Sequence, residues 1–147
     1  MKIKPAHLIV KRSGLPGAGK GLFTKVFIPK GTSIVEYKGN RTTWKEVDHK
    51  DGENGYIYFI SRKNVIDASK TKSALARYAN DARGLQRVKG LLNNSEYREE
   101  GSKVYIVSTK DIPARGEIFV GYGKEYWEVI RHNIKVENAR QKAKKAR

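Results

Sequence analysis

Tyr122 is the residue of this sequence best placed to do chemistry, because it stands between Gly121 and Gly123 at the end of the apolar run 118–120. Glycine has no Cβ and takes positive φ readily, so the backbone around this phenol can come close to whatever the phenol contacts. Taken alone, a tyrosine at the end of a strand is more often a packed aromatic than a catalyst. The rest of the sequence has to decide between these readings.

A glycine-rich stretch, GAGKGLF at 17–23, is the second candidate for chemistry. Glycine-rich backbone can approach a ligand closely. The stretch is not a phosphate-binding loop, because Lys20 is followed by Gly21 and the required spacing fails. By itself it is most simply a turn, just as Asn80 and Asp81 most simply close a short helix.

Composition limits the classes of protein that remain. The chain has 147 residues, 38% of them hydrophobic, which suits one domain with one core. It has no cysteine, and its three histidines are far apart, so we expect no disulfide and no metal site. It lacks a long apolar run or a signal-like amino terminus, so we expect a soluble, intracellular protein with no membrane partner. A formal net charge of +16 favours an acidic partner.

The pattern of apolar residues predicts a mostly β protein. Short runs rich in Val, Ile, Tyr and Phe alternate with turn residues, and they predict strands at 7–10, 33–37, 56–60, 65–68, 104–107 and 117–120. Two turns of similar wording, FIPKGT and DIPARGE, precede strands. Helix is predicted for two turns within 72–80 and for a long segment from 124 onward that ends in a basic tail.

The order of these motifs resembles that of the SET-domain family of protein lysine methyltransferases. The motifs are GKGLFTKVFIPKGTSIVEYKG, VIDASK, LARYANDARG and DIPARGEIFVGYG followed by KEYW, and the resemblance runs from about Ile9 to Trp127. It implies a β-clip-like fold of several small sheets with short helices, knot-like C-terminal threading and a C-terminal α-helix. It also implies a SET domain over 1–123 and a helical segment over 124–147 that completes the site.

The resemblance implies S-adenosyl-L-methionine as the cofactor. Gly19, Lys20 and Gly21 match the family's GxG turn, which binds this cofactor through its backbone, and Leu22 follows them. Asn80 and Asp81 stand where the family has its Asn-His pair, so the histidine is replaced by an aspartate. Trp127 is similar to the aromatic residue that packs over the adenine or the lysine channel.

The family's terminal tyrosine matches Tyr122, which would then contact the reacting methyl group and amine. Gly121 replaces the aspartate that usually precedes this tyrosine. Tyr37 and Tyr97 resemble tyrosines of the substrate lysine channel, and Val120 lies where many members carry the aromatic residue that limits methylation. The number of methyl groups added is left open.

Methyl transfer to lysine needs a neutral amine, although free lysine is almost entirely protonated near pH 7. An aromatic channel favours the neutral form by desolvation, so no histidine cluster or carboxylate pair is required. We therefore expect a lysine methyltransferase acting on a histone-like or other basic tail, in the nucleus or nucleoid if the substrate is chromatin, with possible nonspecific nucleic-acid contact. The alternative is a catalytically weak SET-like module that binds nucleic acid or a protein partner. Acidic side chains for a substrate groove are available at Glu53, Glu96, Glu99 and Glu100, or these are solvated loop residues.

Overall fold

The computed structural model describes residues 2–50, 54–84 and 87–145, and within the C-terminal helix it describes the side chains of 132 and 135–144. Nine strands, two short 3-10 helices and one α-helix make up the described chain. They are the strands β1 (Leu8–Arg12), β2 (Lys20–Thr24), β3 (Ser33–Glu36), β4 (Asn40–Thr42), β5 (Ile57–Ser61), β6 (Asn64–Asp67), β7 (Ser95–Glu100), β8 (Lys103–Ser108) and β9 (Glu117–Ile118), the 3-10 helices Pro5–His7 and Leu75–Tyr78, and the helix α1 (Lys124–Lys145).

The strands form three small antiparallel sheets. Their orders are β1-β2-β9, β3-β8-β7 and β4-β6-β5. The predicted mostly β architecture of several small sheets with a C-terminal helix is therefore confirmed. The knot-like threading of the C-terminal segment stays a prediction.

One apolar core joins the three sheets. The central strand β8 contributes Val104 and Ile106, which are fully buried, and β6 contributes Ile66. Burial of each such aliphatic side chain stabilises the fold by about 1.5–3 kcal/mol relative to leaving it exposed. The same cluster includes Leu22, Ile28, Ile34, Tyr37, Ala76, Ala79, Ile112, Ile118 and Val120.

The two turns of similar wording pair with each other. The backbone N–H of Ile28 donates to the carbonyl of Ile112 at 2.8 Å, and the N–H of Ile112 donates back at the same distance. Both isoleucine side chains are buried in the core. These paired turns connect the amino-terminal third of the chain to the segment that leads into β9.

Three strands were not predicted. β2 begins inside the glycine-rich stretch 17–23, β4 is only three residues long, and β7 is the charged sequence SEYREE, whose glutamates were predicted to lie in a substrate groove or a solvated loop. Four of the six residues of β7 are charged, so the apolar alternation that marks a strand is nearly absent, and pairing with β8 fixes it instead. The predicted two-turn helix within 72–80 is shorter, a 3-10 helix over Leu75–Tyr78.

Candidate active site

The glycine-rich turn and the Asn80 motif meet, although they lie 60 residues apart in the chain. The side-chain amide of Asn80 donates to the carbonyl of Lys20 at 3.0 Å. The carbonyl of Asn80 accepts from the backbone N–H of Val120 at 2.9 Å. Asn80 therefore joins the turn before β2 to the segment that carries the GYG motif.

The two glycines of the GKG sequence serve different purposes. Gly19 has a φ of +69° and nothing within 4 Å of the position where a Cβ would stand, so this turn has open space beside it. Gly21 is buried, and a Cβ there would collide with the carboxylate of Glu117. Leu22 is fully buried in β2, which pairs with both β1 and β9, so its predicted contact with the cofactor stays a prediction.

Glu117 braces the loop that leads into this turn. Its carboxylate accepts from the hydroxyl of Ser13 at 2.6 Å and from the backbone N–H of Gly14 at 2.8 Å. Glu117 therefore ties β9 to the end of β1, 104 residues earlier in the chain. The absence of a side chain at Gly21 is what allows this close approach.

Asp81 is buried, with 6% of its surface exposed, and its carboxylate accepts hydrogen bonds from three segments. Oδ1 accepts from the backbone N–H of Arg83 at 2.8 Å and from the side-chain amide of Asn93 at 2.8 Å. Oδ2 accepts from the backbone N–H of Tyr122 at 2.9 Å. A buried carboxylate needs such donors to offset its loss of hydration. Asp81, which we predicted to stand in place of the family's histidine, is thus a structural anchor in this chain.

Tyr122 is fixed at both its backbone and its phenol. Besides the bond from its N–H to Asp81, its hydroxyl donates to the carbonyl of Ala79 at 2.5 Å. Residues 79–81 therefore contact Lys20 on one side and Tyr122 on the other. The two predicted halves of the site, the glycine turn and the terminal tyrosine, are brought together.

Four tyrosines form a continuous aromatic cluster that ends at Tyr122. Tyr37 contacts Tyr58 and Tyr97 with ring centroids 6.0 and 5.9 Å apart, and Tyr58 contacts Tyr97 at 5.2 Å. Tyr97 stacks on Tyr122 with centroids 6.3 Å apart and ring planes at 23°. The four tyrosines come from β5, from β7 and from the segments that follow β3 and β9, so the cluster lies where the three sheets meet.

A small pocket opens at this cluster and has a volume of about 70 Å³. Pockets for drug-sized ligands typically measure about 300–1,000 Å³, so this one suits a narrow side chain instead. The hydroxyl of Tyr37 donates to the carbonyl of Tyr56 at 2.8 Å, which fixes one wall. The pocket is lined by Tyr37, Gly55, Tyr56, Ile57, Tyr58, Arg77, Tyr97 and Tyr122.

The phenol of Tyr58 interacts with the nearest carboxylate on β7. Its hydroxyl donates to Oε1 of Glu99 at 3.2 Å. Burial, together with the charge of Glu99 and this hydrogen bond, raises the pKa of Tyr58 to about 12. Tyr58 is therefore a protonated phenol over the physiological pH range.

The structure brings together most, but not all, of the residues predicted from the sequence. Tyr37, Tyr97 and Tyr122 line one pocket. Val120 is fully buried in the core and is not among the residues that line this pocket, so its predicted influence on the number of methyl groups stays a prediction. The side chain of Trp127, within α1, and residue Glu53 lie outside the described part of the chain.

Five residues that line the pocket were not predicted from the sequence, namely Gly55, Tyr56, Ile57, Tyr58 and Arg77. The stretch YIYFI at 56–60 did contain a signal for Tyr58. Residues two apart in a strand face the same side, so Tyr56 and Tyr58 are expected to form one aromatic face. The alanine-rich surroundings of Arg77 gave no comparable signal. Asn93 and Glu117, which brace the site, also had none, because their contacts cross the fold.

The comparisons with known proteins agree with this geometry. The SET domain family model matches residues 19–123, so the chain belongs to the SET-domain family. One relative, histone-lysine N-methyltransferase set-17 of Caenorhabditis elegans, is 32% identical over 123 residues. That match covers 83% of this chain and 43% of the relative, so the chain spans less than half the relative's length.

The fold also has a solved counterpart. The methyltransferase domain of human PR domain-containing protein 2 is similar with a TM-score of 0.61 and 22% sequence identity. The alignment covers 82% of this chain and 79% of that domain. Within the described residues, no group of three or more His, Cys, Asp or Glu side chains is arranged to hold a metal ion. No helix in that part of the chain has the length and apolar character needed to cross a membrane.

Proposed function

We propose that this protein is an S-adenosylmethionine-dependent protein-lysine N-methyltransferase. One observation carries the proposal: residues 79–81 bond both to the glycine turn, through Asn80 and Lys20, and to Tyr122, where the tyrosine-lined pocket ends. Such a junction is what a transfer between two bound reactants needs, since alignment of the reactants can supply about 7–11 kcal/mol of the reduction in the barrier.

The glycine turn fits the cofactor that the family uses. Gly19 is exposed beside open space, and Asn80 fixes the backbone of Lys20 from behind. In the proposal, the backbone of Gly19 and Lys20 and the segment Asn80–Asp81 hold S-adenosylmethionine. The cofactor supplies an electrophilic methyl group on a sulfonium.

The pocket fits the side chain of a lysine. Its aromatic walls remove water from the methylene chain and from the amine, and desolvation disfavours the charged ammonium. Aromatic faces also attract a cation, which helps a protonated lysine to enter before it loses its proton to solvent. A neutral amine held in this pocket would be able to take up the methyl group that a bound cofactor would supply.

Tyr122 is the residue proposed to orient this amine. Its own proton is directed to the carbonyl of Ala79, so the hydroxyl oxygen is held in a fixed position. An oxygen held there can accept a hydrogen bond from the amine N–H and so direct the nitrogen lone pair. This is a positioning role that needs no change in the protonation of Tyr122.

The substrate class follows from the relative named as a histone-lysine N-methyltransferase. We propose a basic protein tail of the histone type. The acidic residues Glu99 and Glu100 lie on β7, the strand that also carries Tyr97, and they suit a positively charged segment. They offset locally the net charge of +16, which otherwise repels such a tail.

The test combines binding and transfer. The purified chain is titrated calorimetrically with S-adenosylmethionine and then incubated with core histones and the radiolabelled cofactor. We expect micromolar binding, methyl transfer, and at least a tenfold lower kcat in Tyr122→Phe with nearly unchanged cofactor affinity. Tyr105→Phe, on β8 and outside the pocket lining, is the matched control and should retain activity. Absence of cofactor binding would instead favour a SET-like binding module.

A further inference from the structure

Arg77 is the charged residue of the described pocket lining, and the other lining residues are five tyrosines, an isoleucine and a glycine. We propose that the guanidinium of Arg77 lowers the pKa of the substrate lysine and so increases the fraction that is neutral at the site. This inference rests on the proposed lysine methyl transfer. It assigns to Arg77 a role in the protonation of the substrate.

Contacts on two sides hold the guanidinium in the wall. Nη1 of Arg77 donates to the carbonyl of Ala68 at 2.6 Å and to that of Ser69 at 3.0 Å. Its central carbon lies 4.1 Å from the ring centroid of Tyr56 and 5.1 Å from that of Tyr78. The charge is therefore fixed beside the space that an incoming side chain would fill.

No carboxylate neutralises this charge within the described residues. Among them, the ion pair of the structure joins Arg98 and Glu96 and does not involve Arg77. Arg77 instead bonds to carbonyl oxygens and stacks on rings, and its buried Nε has no hydrogen-bond partner in that part of the chain. Its positive charge thus acts on the pocket without a compensating anion at contact distance.

The groups that face a bound lysine amine are few. They are the phenols of Tyr37, Tyr56, Tyr58, Tyr97 and Tyr122, the guanidinium of Arg77, and, behind Tyr58, the carboxylate of Glu99. Glu99 is exposed and bonded to Tyr58. Solvent therefore screens the attraction between Glu99 and the amine more strongly than the surrounding protein screens the repulsion between Arg77 and the amine. A like charge close to a titratable group disfavours its charged form, and burial acts in the same direction.

The other residues that line the pocket explain why a nearby positive charge would assist the reaction. No histidine or carboxylate is among the described lining residues, so none of them is an evident base for the ammonium. The lysine gives its proton to solvent, and a cation in the wall shifts that equilibrium toward the neutral amine. The nitrogen can then bond to the methyl carbon with no proton left to remove beforehand.

The experiment compares pH–rate profiles with core histones as substrate. Arg77→Gln removes the charge and retains a donor for the carbonyl of Ala68, and Arg77→Met removes both. Arg77→Lys keeps the charge. Arg41→Met is the matched control, because Nη1 of Arg41 also donates to a backbone carbonyl, that of Ser102, at 2.6 Å but does not line the pocket.

We expect the apparent pKa of kcat, measured at saturating histone and cofactor so that it reports groups in the bound complex, to rise by about 1 unit in the two neutral variants, since one pKa unit is a typical effect of a neighbouring charge. Activity would then fall about tenfold near neutral pH and recover at high pH. Arg77→Lys and Arg41→Met should keep the profile of the unaltered protein. Cofactor affinity, measured by calorimetry at each pH, should stay constant.

Two results would overturn the role of Arg77 while leaving the proposed methyl transfer intact. One is a loss by the same factor at every pH, which means that Arg77 only supports the pocket wall. The other needs no variant: an apparent pKa of kcat for the unaltered protein near that of free lysine, about 10.4, means that the pocket does not lower the pKa of the bound lysine. Absence of any transfer by the unaltered protein would instead contradict the proposed function, and the role of Arg77 with it.

Discussion

The backbone N–H of Tyr122 donates to Oδ2 of Asp81 at 2.9 Å, so the aspartate that we predict in place of the family's histidine directly holds the proposed catalytic tyrosine. The same carboxylate bonds to Arg83 and Asn93. The substitution of an aspartate therefore has a structural purpose in this chain. It connects the loop after Asn80 to the position of the Tyr122 ring.

Replacement of Asp81 by asparagine should lower both stability and turnover. The carboxylate of Asp81 accepts hydrogen bonds from three N–H donors, whereas the amide of an asparagine has one acceptor oxygen. The NH₂ group of that amide would face at least one of the three donors. We expect the free energy of unfolding to fall by about 1–3 kcal/mol, the typical result when a buried bonded group loses its partner. We also expect kcat to fall at least tenfold, measured with saturating cofactor.

Asp111→Asn is the control for this substitution. The exposed carboxylate of Asp111 accepts from the backbone N–H of Lys30 at 2.8 Å, away from the pocket. It should change stability by less than about 1 kcal/mol, because exposed contacts of this kind contribute little. Full activity in Asp81→Asn would contradict the anchoring of Tyr122.

Replacement of Gly19 by alanine should weaken cofactor binding. Gly19 has a φ of +69° and lies in the turn proposed to hold S-adenosylmethionine, so a side chain both strains the backbone and fills the open space. Gly101→Ala is the matched control, since Gly101 has a φ of +63° in the β7–β8 turn and also has open space around it. Calorimetry should show at least a tenfold loss of affinity for Gly19→Ala alone. Equal affinities in the two variants would remove this turn from the cofactor site.

The titration of Tyr58 should make the folded protein less stable at high pH. Its pKa rises from 10.0 to about 12 on folding, chiefly through burial. Between these two values the folded state retains a proton that the unfolded state has lost, so stability falls as pH rises through this range. Tyr58→Phe should lose less stability between pH 10 and pH 12 than the unaltered protein, as measured by denaturant unfolding at each pH.

Glu99→Gln separates the causes of this pKa shift. It removes the charge and the carboxylate hydrogen bond but leaves the burial of Tyr58, so the pKa of Tyr58 should fall and still exceed 10. The absorbance of tyrosinate follows this titration, with Tyr58→Phe as the reference. A pKa that does not change in Glu99→Gln would show that Glu99 does not interact with this phenol in solution.

Removal of the C-terminal helix should abolish methyl transfer. α1 begins at Lys124, immediately after the GYG motif, and we proposed that 124–147 completes the site. A chain that ends at Gly123 should remain folded, since the described core lies before this point, yet it should transfer no methyl group. A chain that ends after Lys135 retains the aromatic part of the helix and should remain active. An active fragment ending at Gly123 would contradict this division of the chain.

The sequence allowed the fold class and several parts of the site to be predicted, because these depend on local pattern. Alternating apolar runs predicted six strands, and the order of four motifs predicted roles at the site for Gly19, Asn80 and Tyr122. The strand β7 escaped prediction because its side chains are mostly charged and its pairing with β8 determines its conformation. A strand whose conformation depends mainly on pairing with a neighbouring strand cannot be identified from the local sequence.

The residues missed at the site have a different explanation. Arg77 and Glu117 act through contacts with carbonyl groups, rings and hydroxyls on other segments, and these contacts exist only after folding. The sequence shows Asp81 as a departure from the family pattern, but it does not predict the hydrogen bond between Asp81 and Tyr122. The chemical type of a residue predicts what it can bond to, whereas tertiary structure decides which partner it meets.

The paired turns at Ile28 and Ile112 have a consequence for the order of folding. Their two reciprocal hydrogen bonds join segments 84 residues apart, and Glu117 joins β9 to Ser13 across an even longer interval. Closing such long loops costs conformational entropy before the contacts repay it, which slows folding and delays these contacts. Tyr122 directly follows β9, whose pairing with β2 is one of these long-range contacts, so we expect the tyrosine-lined pocket to be completed only after they have formed.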